Sequence, residues 1–212
     1  MRSYCFFPIS FSLLLLAGCS SEKPATEAKP EPVVKKEAPA AIVIPDVFQT
    51  KFETTKGSFT VEVHREWAPR GAERFHALVK DGYFDDSRFF RVVPNFIIQF
   101  GLAGKPSMTA KWDKSFPDDP VIRTNRVGSV TFATAGPNTR TTQLFINLRS
   151  NQMLDEQGFA PFGQVVEGME VVLRLYSGYG ERPDQGLITS GGNTYLEAQF
   201  PNLDVIKKAS IL

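Results

Sequence analysis

Two short runs of strict alternation begin the patterned part of the chain. Phe48, Thr50, Phe52 and Thr54 alternate with polar or charged neighbours, and Phe59, Val61 and Val63 do so again after Lys56-Gly57-Ser58. Strand side chains point to opposite faces with a period of two, so the pattern predicts a β-hairpin around a glycine-containing turn. The period changes at Pro69. Ala72, Phe75, Leu78 and Val79 recur at helical spacing, with Pro69 suited to a first turn and Asp81-Gly82 to a stop. Phe89 to Phe100 is a dense apolar stretch of strand character, broken at Pro94-Asn95, and further strands are predicted over Val127–Ala135, Leu144–Leu148 and Phe162–Val166. Met169–Tyr176 predicts a second helix, Ser177–Gly192 a Gly-rich loop, and Thr194–Phe200 a short helix halted by Pro201. Many short strands with two helices predict a closed barrel rather than alternating βαβ units.

Before Val47 the pattern is of another kind. Arg2 precedes an apolar run from Phe6 to Ala17, too short for a permanent span, which takes about 20 apolar residues. It has the form of a secretory signal over 1–18. The run closes on Leu16-Ala17-Gly18-Cys19, which resembles the bacterial lipobox, where cleavage leaves a lipid-modified cysteine as the new first residue. Acyl chains contribute about 0.8 kcal/mol per buried methylene, so several of them on Cys19 would anchor the chain stably. Ser20, rather than Asp, after the cysteine is similar to Gram-negative lipoproteins of the outer membrane, facing the periplasm. Seventeen of the 22 residues from 20 to 41 are Pro, Ala, Lys or Glu. They have no apolar face to bury, so 19–46 is expected to be an extended tether and 47–212 the folded domain.

Composition narrows the function. With 24 basic and 23 acidic residues the net charge is +1, without the basic surplus a nucleic-acid binder needs. Cys5 falls in the signal segment, so beyond Cys19 no cysteine remains for disulfides, thiol catalysis or zinc. His64 and His76 lie on a strand end and a helix and are expected at the surface. No H-x-x-x-H, G-x-S-x-G or P-loop spacing occurs, and Gly178-Tyr179-Gly180 lacks the third glycine and preceding strand of a dinucleotide loop. Asp85-Asp86 and Asp118-Asp119 lie in loop-like contexts, where solvated charge is the expectation; no metal site is predicted. One segment is chemically odd. Arg91 sits among Phe89, Phe90, Val92 and Val93, and beyond Pro94-Asn95 come Phe96, Ile97 and Gln99. A permanent cation among aromatics is costly to bury without a partner. Either backbone carbonyls or a carboxylate satisfy it, or it is a fixed donor array beside an apolar pocket.

The run Phe89-Phe90-Arg91-Val92-Val93-Pro94-Asn95-Phe96-Ile97-Ile98-Gln99 resembles the cyclophilin motif F-H-R-x-x-x-x-F-x-x-Q. Ala133-Thr134-Ala135-Gly136-Pro137-Asn138-Thr139 with Gln143-Leu144-Phe145-Ile146 is similar to the family's A-x-A-G-P-N-T-x-x-S-Q-F-F-I. Leu154-Asp155, then Phe162-Gly163-Gln164-Val165 and Gly168-Met169, resembles a third block. The resemblance, covering roughly Val47–Tyr176, implies an all-β fold: a closed eight-stranded antiparallel barrel capped by two α-helices, with a packed interior and a groove on its outside. It also implies a cofactor-free prolyl cis–trans isomerase, a monomer whose partners are proline-containing peptides and unfolded exported proteins. The alternative is a proline-peptide-binding chaperone or scaffold with little turnover.

By the same resemblance Arg91, Phe96 and Gln99 are catalytic, with Arg91 donating to the prolyl carbonyl and nitrogen and Gln99 orienting it. Ile97, Phe145 and Leu154 join Phe96 in the proline pocket, Ala133 and Thr134 form the groove edge, and Gln143 lines it. Phe90 replaces a histidine whose side chain faces away. Met153 and Phe159 are also expected to bind substrate. Met153 stands where many members have tryptophan, which implies weaker cyclosporin binding more than weaker catalysis. Phe159 stands where a histidine often contacts the substrate carbonyl, which implies activity reduced or retained, not abolished.

Overall fold

The hairpin forms where the alternation puts it. β1 (Val47–Thr54) and β2 (Gly57–His64) pair antiparallel with Phe52 opposite Phe59 and Thr54 opposite Gly57, in a computed structural model whose described residues run from Ile44 to Leu212. The signal segment and Cys19 lie outside those residues. Ile44 is already buried in the main core, so packing begins ahead of Val47, within the stretch expected to be tether. α1 (Pro69–Lys80) starts on its proline and buries Gly71, Ala72, Phe75, Leu78 and Val79. Ala68 offers no side-chain cap; Asp119 supplies one from a distant loop, accepting from the backbone N–H of Arg70 (3.1 Å) and Gly71 (2.9 Å). Those orphan donors at a helix start need acceptors, so Asp119 is a buried structural group and not the solvated charge expected.

The remaining strands are β3 (Ser87–Arg88), β4 (Arg91–Val93), β5 (Ile97–Phe100), β6 (Ser129–Phe132), β7 (Leu144–Asn147), β8 (Pro161–Glu167) and β9 (Val205–Ile211). All ladders are antiparallel, and the sheet order is β3-β9-β1-β2-β8-β6-β7-β5-β4. In a flat sheet β1 and β5 would lie some 24 Å apart at about 4.8 Å per strand. Instead the Phe52 and Phe100 rings meet at 5.8 Å, so the sheet curls around its own aromatic interior. Phe59, Phe75, Phe84, Phe89, Phe132 and Phe162 fill that interior at 0–1% exposure. The architecture is the expected all-β one, but the described strands number nine, with β3 and β4 as the two ends of the order.

Helices are more numerous than the two expected. α2 (Pro106–Trp112), α3 (Met153–Glu156) and α4 (Met169–Leu173) are short. α5 (Gln185–Gln199) begins inside the Gly-rich stretch expected as loop and ends on the short helix expected over Thr194–Phe200; it is capped by Asp184 and bent at Gly192, whose φ of 54° only glycine adopts readily. A Cβ there would lie 2.3 Å from the Gly104 carbonyl. α5 builds a second core in which Ile188, Leu196 and Leu203 bury Phe90 and Leu102. Arg88 fastens it, with Nη2 donating to Glu197 Oε1 at 2.8 Å and Nε to Asn193 Oδ1 at 3.4 Å. β9 then pairs with the outer edges of β1 and β3.

Both histidines are half-buried against aromatic rings: His64 stacks on Trp67 at 4.0 Å, and His76 meets Phe48 edge-on at 5.2 Å. Tyr83, 1% exposed, donates to Thr142 Oγ1 (3.0 Å) or the Gly101 carbonyl (3.2 Å). Burial pushes its phenol upward by disfavouring the charged form. Its contribution to stability is therefore intact below the free phenol's range near pH ~10 and drains away as pH rises from there toward the raised folded value. In a spectrophotometric alkaline titration Tyr83 is expected to ionise above the free phenol's range, and Tyr83→Phe to abolish that late step alone.

Candidate active site

β4 and β5 form a tight hairpin around Pro94-Asn95, with Asn95 at φ 58°, and the register sets Arg91 opposite Gln99. Their side chains meet on the outer face, where Arg91 Nη1 donates to Gln99 Oε1 at 3.1 Å. Gln99 Nε2 in turn donates to Gln143 Oε1 at 2.7 Å. The guanidinium lies 5.9 Å from the centre of the Phe96 ring. On its other edge Nε donates to Glu181 Oε1 at 2.7 Å, and Nη2 reaches the same oxygen. Of the two sequence readings of Arg91, both hold in part: it has a carboxylate partner, and it faces an apolar pocket.

That pocket is a small core of its own on the outside of the sheet. Ile97, Phe145 and Leu154 are buried, with Phe96, Ala133 and Phe159 packed against them. Phe145 and Phe159 meet edge-on at 5.6 Å. The groove above encloses about 590 Å³ and is lined by Arg91, Phe96, Ile97, Gln99, Ala133, Thr134, Gln143, Phe145, Leu154 and Phe159, and also by Asp113, Ala135, Thr139, Thr141, Gln157 and Gln185. A slightly larger cleft, about 640 Å³, lies between α1 and the segment after α2. Three of its four cations already have partners, Lys111 in Asp81, Arg70 in the Asp118 carbonyl and Arg74 in the Lys114 carbonyl.

The structure thus gathers the sequence-predicted groove residues into one place, with one exception. Met153 is 48% exposed and does not line the groove. On α3 the adjacent Leu154 takes the inward position, and neighbours on a helix point about 100° apart, which turns Met153 to solvent. Phe90 faces away from the groove, as expected, into the α5 core. Ala133 is on the groove edge, but its N–H is spent on the Gln143 carbonyl at 2.9 Å. Thr134 Oγ1 lies 2.9 Å from Thr139 Oγ1 and also contacts the Gly136 carbonyl, which closes the turn at the rim.

Sequence reasoning missed the supports beneath. Buried Asn151 donates to the Phe96 carbonyl (3.0 Å) and to Asn147 Oδ1 (2.8 Å), while Asn125 Nδ2 donates to the Phe159 carbonyl (2.8 Å) and to Asp155 Oδ1 (2.7 Å). Asn125 Oδ1 accepts from Thr131 and Asn147. These amides fix the backbone of the two aromatic walls, because buried polar networks are rigid when every member is satisfied. The only hint in the chain was an asparagine at the end of an apolar strand, Leu144–Asn147.

Comparisons with known proteins agree with this geometry. The family profile described as cyclophilin type peptidyl-prolyl cis-trans isomerase/CLD matches residues 49–190. A peptidyl-prolyl cis-trans isomerase-like 1 of Aspergillus fumigatus is 35% identical over 131 residues, covering 58% of this chain and 79% of its own. A peptidyl-prolyl cis-trans isomerase of Arabidopsis thaliana, CYP18-2, is 36% identical over 136 residues, covering 61% and 80%. Among solved structures, a cyclophilin type peptidyl-prolyl cis-trans isomerase of Cryptosporidium parvum superposes with a TM-score of 0.60 at 23% identity, covering 78% of this chain and 98% of that one. The same protein solved in the presence of the dipeptide Ala-Pro gives a TM-score of 0.59 at 24% identity, covering 77% and 98%.

Proposed function

We infer the working of the groove from one premise: this chain belongs to the cyclophilin-type peptidyl-prolyl cis-trans isomerase family. Its activity is the acceleration of rotation about X–Pro peptide bonds. Such rotation meets a barrier of ~18–20 kcal/mol, because the nitrogen lone pair is delocalised into the carbonyl, and unaided X–Pro exchange takes tens to hundreds of seconds. No covalent bond breaks, so the protein has only to favour the twisted state over both planar ones.

The single observation that carries the mechanism is the Arg91 guanidinium held by Gln99 at the lip of the apolar floor. The pyrrolidine ring sits on Ile97, Phe145 and Leu154, walled by Phe96 and Phe159. As the C–N bond twists, its nitrogen becomes pyramidal and regains a lone pair that Arg91 can hydrogen-bond. A preorganised, charge-assisted donor in a poorly hydrated pocket is worth more there than in water. Gln99, itself tied to Gln143, keeps the donor aimed. Phe159 contributes surface and no donor, so the burden of polar contact falls on Arg91.

The substrates are proline-containing segments of exported proteins, and the chain works in a bacterial envelope. The signal-like run ending at Cys19, the lipobox resemblance and the charged, proline-rich stretch that follows support this reading. Two measurements test it. In the full-length chain, a prolyl peptide is expected to exchange cis and trans well above its spontaneous rate; binding without turnover selects the scaffold reading instead. Cys19→Ala is expected to move the protein from the membrane to the soluble fraction, and an unchanged distribution rejects lipid anchoring.

A further inference from the structure

We propose that Glu181, supplied by the segment between α4 and α5, is a positioning residue for Arg91. The inference rests on the isomerase reading of the groove and assigns part of its working to a segment outside the three cyclophilin-like sequence blocks. Glu181 Oε1 accepts from Nε and from Nη2, and Gln99 Oε1 accepts from Nη1. A guanidinium carries a single hydrogen on Nε and two on each terminal nitrogen. One N–H on each terminal nitrogen is therefore left for a substrate, at the outer end of the fork. Gln99 lines the groove and Glu181 does not. The carboxylate thus grips Arg91 on the edge turned from the pocket and does not compete for the position a prolyl carbonyl would take.

The grip is built into the fold. The Gly180 carbonyl accepts from Val92 N–H at 3.3 Å, tying the loop to β4 one residue beyond Arg91. Arg182 Nη2 donates to the Gly178 carbonyl at 3.0 Å and stacks over Tyr179 at 5.1 Å. Tyr179 packs edge-on against Phe200 at 5.1 Å. Glu181 is 61% exposed and Arg91 25%, so the pair adds little to stability. Its work is orientation. A long arginine side chain has many rotamers, and without Glu181 only Gln99 would select the productive one.

The test is made in the full-length chain with kcat and KM from prolyl peptide exchange, thermal unfolding, and the NMR signal of the Arg91 Nε–H. Glu181→Ala is expected to lower kcat about three- to tenfold with KM within about twofold, with an unchanged unfolding midpoint and the Nε–H signal broadened by exchange with water. Glu181→Gln is expected to restore most of the loss, because one carbonyl oxygen can accept both bonds that Oε1 accepts now. Unchanged kcat in Glu181→Ala, a raised kcat, or a fall in kcat that tracks a fall in unfolding midpoint would each overturn the proposal. Absence of turnover in the unsubstituted chain would sink the isomerase reading instead; the Nε–H signal alone would then decide, its persistence in Glu181→Ala overturning the grip and its loss supporting it.

Discussion

Arg91→Ala is expected to slow prolyl isomerisation at least about tenfold while leaving the fold intact. The size follows from what is removed. A hydrogen bond involving a charged group contributes roughly 1.5–3 kcal/mol, and each ~1.36 kcal/mol of lost transition-state stabilisation is tenfold in rate. The fold is spared because the guanidinium lies on the outer face, Glu181 is 61% exposed, and the buried Gln99 keeps its bond to Gln143. Arg91→Lys is expected to recover little, since an ammonium cannot present a planar fork to Glu181, Gln99 and substrate together. Exchange kinetics on a prolyl peptide, beside circular dichroism of each variant, measure both halves of the statement. Near-normal turnover in Arg91→Ala would remove the guanidinium from the mechanism.

The largest effect on stability is expected from Asp119→Ala, at about 3–5 kcal/mol. Removing one side of a buried ion pair costs that much in other proteins, and here Arg140 would keep only the partly exposed Asp118 as a counter-charge. Here the side chains of Asp119 and Arg140 are 1% and 4% exposed, with Arg140 Nη1 donating to Asp119 Oδ2 at 3.1 Å. The same carboxylate accepts the N–H groups of Arg70 and Gly71, so its loss also orphans the start of α1. Arg140 lies over the Phe116 ring at 4.4 Å, close behind the loop that brings Thr139 to the groove. Asp119→Asn is expected to cost less, because one oxygen still accepts at the helix start. Urea unfolding measures both. A loss below about 1 kcal/mol in Asp119→Ala would mean that Asp118, whose Oδ1 lies 3.0 Å from Arg140 Nε, takes over the charge.

Local signals were legible where one side of an element faces the core and the other faces water. The β1–β2 alternation, the helical period of α1 and the Pro94-Asn95 break each resulted in the element expected. β9 escaped notice for a physical reason. Its register slips against β1 at Glu53/Thr54, so its buried residues, Ile206 and Ala209, fall three apart instead of two. The first half of α5 escaped because Gly186, Gly191 and Gly192 lower its helix propensity, while burial of Phe90 and Leu102 beneath the helix outweighs that cost; only its second half, from Thr194, was expected. Asp118-Asp119 has the composition of a solvated loop, and only the approach of α1 and Arg140 makes Asp119 a core residue. The family resemblance places Met153 among the groove residues; a helix turn decides that its neighbour Leu154 goes there.

The family motif along the chain was enough to expect Gln99 beside Arg91, and the β4–β5 hairpin sets them opposite one another, eight positions apart. It was enough, too, for the apolar groups near them, whose blocks have a characteristic spacing. What holds the arginine from behind was decided only by the tertiary structure. Glu181 lies 90 positions away, in a charged, glycine-rich stretch with no periodicity to announce it. A hydrophobic pattern records which face an element buries. It carries no information about which distant carboxylate the folded chain will bring against a cation, because that depends on the packing of every element between them.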